Sequence, residues 1–86
     1  MILHTLGDYY IAPNKTQKIK IKEKWKQNSF GMVTLNIELQ KQGLFLNPIV
    51  LTPVTKDIEI YVYNASQDTI HVEQRKWCAR VLEVMR

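Results

Sequence analysis

The chain has 86 residues, a net charge of +4, 45% hydrophobic residues and one cysteine. Its length predicts one small domain spanning residues 1–86, and its apolar share excludes a disordered chain. A lone Cys78 excludes an intrachain disulfide, and no apolar run approaches the ~18 residues of a membrane span.

The N-terminus, Met1-Ile2-Leu3-His4, has no basic region before an apolar stretch. The expectation is no cleaved signal, no membrane partner, and a place in a virion or the host-cell cytoplasm. Residues 2–6 read as a first extended segment and 9–12 as a second, stopped by the turn Pro13-Asn14-Lys15. Residues 17–26 are the clearest element. Lys18, Lys20, Lys22, Lys24 and Lys26 alternate with Ile19, Ile21, Glu23 and Trp25. A strand puts alternate side chains on opposite faces, so the lysines form one row. A helix would scatter them. The plain reading of the row is a solvated face that protects a sheet edge. The sharper one is a footprint for phosphate or an acidic surface. No aromatic is interleaved on the lysine face, which counts against base stacking; Trp25 points the other way.

Residues 32–39 alternate again, with Val33, Leu35, Ile37 and Leu39 on one face, and predict a strand ended by Gln42-Gly43. Residues 44–46 and 49–51 read as two fully buried strand pieces around Asn47-Pro48. Ile58, Ile60 and Val62 alternate with Glu59, Tyr61 and Tyr63 before a turn at 64–68, and 69–73 is a further short strand. Residues 74–86 fit both periods. Trp77, Val81 and Val84 have helical spacing, whereas Cys78, Arg80, Leu82 and Val84 would line one face of a strand. Strand is preferred and a helix stays open. Many short strands separated by turns predict an all-β fold, a small jelly-roll-like barrel.

Catalytic and metal constellations are missing from the sequence. His4 and His71 lie far apart, with no cysteine or carboxylate at ligand spacing, so no metal or cofactor is expected. Cys78 in Trp77-Cys78-Ala79 reads as core. No Gly-rich phosphate loop or nucleophile elbow occurs. Tyr61 and Tyr63 share a face too polar for a core and too aromatic for casual exposure, so they are candidate partner contacts, with Ile2, Leu3, Tyr9 and Tyr10. The candidate anion contacts are the five lysines of the row with Arg75, Lys76 and Arg80.

From Phe30-Gly31-Met32-Val33 onward the chain resembles the trimeric dUTPases, whose fold is the β-clip. The order of signals matches through Gln42-Gly43-Leu44, Ile49-Val50-Leu51, the strand ending in Asn64, Ile70-His71-Val72 and Trp77-Cys78-Ala79. The resemblance implies a homotrimer. It also places the family's Arg-Ser-Ser substrate loop at Asn36-Ile37-Glu38 and its water-activating Asp at Leu51 or Thr52. The Gly-Asp-Arg turn falls at Arg75-Lys76-Trp77. None of these residues keeps the family's chemistry, and the chain stops before a glycine-rich arm. The expectation is therefore a non-enzyme. The architecture is also similar to the head decoration proteins of tailed phages. That points to a structural homotrimer on a virion capsid, with a major capsid protein as its partner. The alternative is an inactive dUTPase-like module that holds a nucleotide or other anionic ligand between subunits.

Overall fold

The computed structural model describes residues 1–84. In chain order its elements are β1 (Ile2–Leu3), β2 (Tyr9–Ile11), β3 (Thr16–Lys24), β4 (Phe30–Leu35), α1 (Ile37–Gln42), β5 (Leu44–Leu46), β6 (Val50–Leu51), β7 (Asp57–Asn64), β8 (Ile70–Val72) and β9 (Ala79–Val84). They form three sheets, β1-β9-β4-β6, β3-β7-β5 and β2-β8. The fold is all-β, and the sheets pack together without closing into a barrel.

The lysine strand forms as its alternation predicts. Ile19 and Ile21 enter the core with Ile58, Ile60 and Val62 of β7, while the lysines stay exposed. β3 pairs with β7 from Thr16↔Tyr63 to Lys20↔Glu59; the register then shifts before Lys24↔Asp57. The segment after β1 covers the other edge of β3. Thr5 bridges Ile21, Lys22 N donates to His4 O at 2.7 Å, and Leu6 N donates to Lys20 O at 2.9 Å.

The strand expected over 32–39 ends at Leu35. Asn36 breaks it because its side chain accepts the backbone N–H of Glu38 at 2.8 Å and caps α1. Gly43 closes the helix with φ 114°, a left-handed conformation that glycine adopts without steric cost. Leu39 remains buried, but Ile37 turns to solvent. The pieces at 44–46 and 49–51 are not fully buried, since Phe45 is 61% and Val50 54% exposed. β5 and β6 are edge strands, so only one of their faces meets the core.

The ambiguous C-terminal segment is a strand through Val84; Met85 and Arg86 lie outside the described residues. β9 pairs with β1 on one side and β4 on the other, and two ladders outweigh its helix-forming composition. Ala79 and Val81 face the core, with Arg80, Leu82 and Val84 outward; Cys78 precedes the strand and is buried.

Two positions pin the packing. A Cβ at Gly31 would lie 2.5 Å from Val81 Cγ1 and 2.9 Å from the Trp25 ring, so only glycine lets the indole lie against β4. Asn64 is buried at the end of β7. Its Nδ2 donates to Ile11 O and Asp68 O, both at 2.8 Å, and its Oδ1 accepts Ser66 N at 2.9 Å and Ser66 Oγ at 2.7 Å. Its hydrogen-bonding capacity is thus filled in a buried site.

Candidate functional site

A cleft of about 480 Å³ opens where the N-terminus of α1 meets the turn before β9. Asn36, Glu38, Arg75, Lys76 and Trp77 line it, together with Ile2, His4 and His71. Asn36 joins its two sides: its Nδ2 donates to Trp77 O at 2.9 Å and its backbone N–H to Cys78 O at 2.8 Å. Residues far apart in sequence, 36–38 and 75–77, therefore share one site.

The charges in the cleft are balanced. Glu73 receives Lys76 at 3.1 Å and Arg75 at 3.9 Å. His4 Nδ1 contacts Glu23 at 2.8 Å, and the backbone N–H of His4 donates to the same carboxylate at 2.6 Å. Burial alone would raise the Glu23 pKa, but the hydrogen bonds from His4 hold it below the usual carboxylate value. His71 Nε2 lies 3.4 Å from Asp8 Oδ1, within ion-pair reach but outside hydrogen-bond alignment, and its ring stacks on Tyr10 with centroids 4.3 Å apart. The backbone N–H of Gln74, with His71 and Arg75 nearby, keeps the Asp8 carboxyl below its ordinary value. The partners in both pairs, His4 with Glu23 and His71 with Asp8, are distant in sequence, so these pairs appear only on folding.

Nothing here is arranged as a nucleophile or a metal centre. Among the described residues no three His, Cys, Asp or Glu side chains converge. Burial pushes the Cys78 thiol up to about 12, which leaves it protonated. Leu51 is buried in the core, and Thr52 spends its backbone N–H on Thr55 Oγ1 at 3.0 Å. Among the described residues no helix is long and apolar enough to cross a membrane.

The structure divides the candidate partner contacts. Leu3 is fully buried, so it cannot serve as a surface contact; the β1 alternation sends Ile2 out and Leu3 in. Tyr9 is half-buried, and its hydroxyl accepts Lys20 N at 3.0 Å. Tyr10, Tyr61 and Tyr63 are exposed. The anion candidates fall on three surfaces. Lys18, Lys20, Lys22 and Lys24 cover one sheet while Lys26 lies past the end of β3, Arg75 and Lys76 edge the cleft, and Arg80 stands on the other sheet between Ile2 and Thr34.

That second sheet carries a surface the sequence reading missed. On the outer face of β9-β4-β6, Leu82 pairs with Met32 and Met32 with Val50; Val84 pairs with Phe30 beside them. Met32 and Leu82 are each 53% exposed. The signal was present in β4, where both parities are apolar, Phe30 and Met32 outward and Val33 and Leu35 inward. A strand apolar on both sides is normally covered on both sides.

No family model and no curated protein matches the chain. Among solved structures, the native EIAV dUTPase superposes with a TM-score of 0.75 at 26% identity, over 95% of this chain and 72% of that one. The chain has a dUTPase-like fold.

Proposed function

We propose that this chain is a non-enzymatic, homotrimeric structural protein, in its most concrete form a decoration protein of a virion capsid. The apolar outer face of β9-β4-β6 carries the reading. Phe30, Met32, Val50, Leu82 and Val84 present a contiguous hydrocarbon surface of the kind that marks protein contacts. Removing it from water would contribute roughly 25 cal/mol per Å², a useful supplement for a chain this small.

The loss of hydrolysis is supported residue by residue. The position matching the family's water-activating Asp holds buried Leu51 or its neighbour Thr52, and Asn36-Ile37-Glu38 stands in place of the substrate loop. Asn36 is committed to capping α1 and to Trp77. A shell protein works through many modest contacts repeated by symmetry, so one copy need not bind tightly.

The test has three readouts. Light scattering should give three times the chain mass at micromolar concentration. Deoxyuridine triphosphate with magnesium should show no turnover above buffer. The protein should co-sediment with purified particles. A monomer mass would overturn the assembly reading, and turnover would overturn the non-enzymatic one. A second reading is an inactive module that holds a nucleotide between subunits, favoured by Arg75 and Lys76 beside the cleft. Submicromolar nucleotide binding without particle association would put it first.

A further inference from the structure

The lysine face has aromatic neighbours after all, and they come from other strands. Directly paired residues in an antiparallel sheet share a face. Lys18 pairs with Tyr61, Thr16 with Tyr63, and Tyr63 with Phe45 of β5. Phe45, Tyr61 and Tyr63 are all exposed there. The expectation that no aromatic accompanies the lysines held only within β3; the sheet reverses it.

The charge on this face is unequal. Glu59 pairs with Lys18 at 3.9 Å, and Asp57 pairs with Lys24. Among the described residues, Lys20 and Lys22 have no ion-pair partner. Where β3 and β7 lose register a groove opens, lined by Lys20, Lys22 and Lys24 with Leu6, Asp57 and Glu59. The excess is positive, along one line.

We infer that the outer face of β3-β7-β5 binds single-stranded nucleic acid, with Lys20 and Lys22 on phosphates and Tyr61, Tyr63 and Phe45 under bases. Alternate lysines on a strand are roughly 6.6 Å apart. Successive phosphates of a nucleic-acid strand can meet that spacing, so the lysines supply affinity and the rings decide between single strand and duplex. Only unpaired bases offer faces to an aromatic side chain, and such stacking tolerates any sequence. An acidic protein surface would satisfy the lysines but leave the three exposed rings unused. The inference is separate from the proposed self-association, which would use the other sheet.

The experiment is fluorescence anisotropy with labelled oligothymidine of about 12 nucleotides, the range one small β fold covers. A duplex of equal length and polyglutamate serve as competitors. The expected result is a preference of roughly ten-fold or more for the single strand. Affinity should fall with salt at a log–log slope near −0.7 for each phosphate neutralised, so Lys20→Gln and Lys22→Gln should each flatten the slope by about that amount. Tyr61→Ala should weaken binding roughly five- to hundred-fold and leave the slope unchanged. Circular dichroism confirms folding of each variant, and Phe45→Ala serves if Tyr61→Ala does not fold. Absence of binding in low salt overturns the inference. Equal binding of duplex, indifference to both aromatic variants, or equal competition by polyglutamate also overturns it, the last in favour of an acidic protein partner.

Discussion

Glu23 points inward from β3, in the row otherwise held by Ile19, Ile21 and Trp25, and His4 holds it there through both its backbone N–H and its Nδ1. This contact ties the N-terminal segment to the lysine strand and explains a carboxylate on the core side. Because the folded pKa of Glu23 is depressed, its contribution is present above the ordinary Glu value and is lost as pH falls through the lower folded one. Glu23→Gln should therefore cost roughly 1 kcal/mol at neutral pH, where the partly exposed pair is screened. The two proteins should converge in urea melts at a pH low enough to protonate the folded carboxylate. A gap that is the same at both pH values would show that the charge is not what matters.

Asn64 should be among the least replaceable polar residues. Asn64→Ala strips partners from Ile11 O, Asp68 O and Ser66 in a buried site. A loss of about 3 kcal/mol is expected, read as a lower urea midpoint with an unchanged slope. A loss no larger than that of a surface substitution would mean that water enters the site freely.

Gly31→Ala should destabilise by roughly 1–3 kcal/mol, because the new methyl meets Val81 and Trp25. Val81→Ala opens the space that the methyl needs, so the double variant should lose less than the two single losses added together. Simple additivity would place the strain elsewhere.

The proposed self-association through the apolar sheet face makes a sharper demand. Met32→Glu with Leu82→Glu puts two like charges side by side in the pairing between β4 and β9. Burial of such charges in an interface is prohibitive, whereas both side chains are half-exposed in the isolated fold. The expected outcome is a folded monomer by light scattering with a native circular dichroism spectrum. Unchanged oligomer mass would exclude this face.

Local alternation was enough to assign β3 and β7, the buried set Ile19, Ile21, Ile58, Ile60 and Val62, and the exposed lysine row. That pattern is legible because strand geometry sets a period of two whatever the neighbours are. The choice at 32–39 turned on one side chain, since Asn36 caps a helix that the apolar pattern alone had hidden. Residues 74–84 carried both periods, and pairing with β1 and β4 selected the strand. The juxtapositions that bear on function were decided by tertiary structure. The Asn36–Trp77 cleft, the His4–Glu23 pair, the aromatics beside the lysines and the joined apolar face of β4, β6 and β9 each unite segments distant in sequence. Composition and periodicity report which way a side chain points along its own strand. Which strand lies beside it depends on long-range register, and that is settled only when the sheets assemble around a shared core.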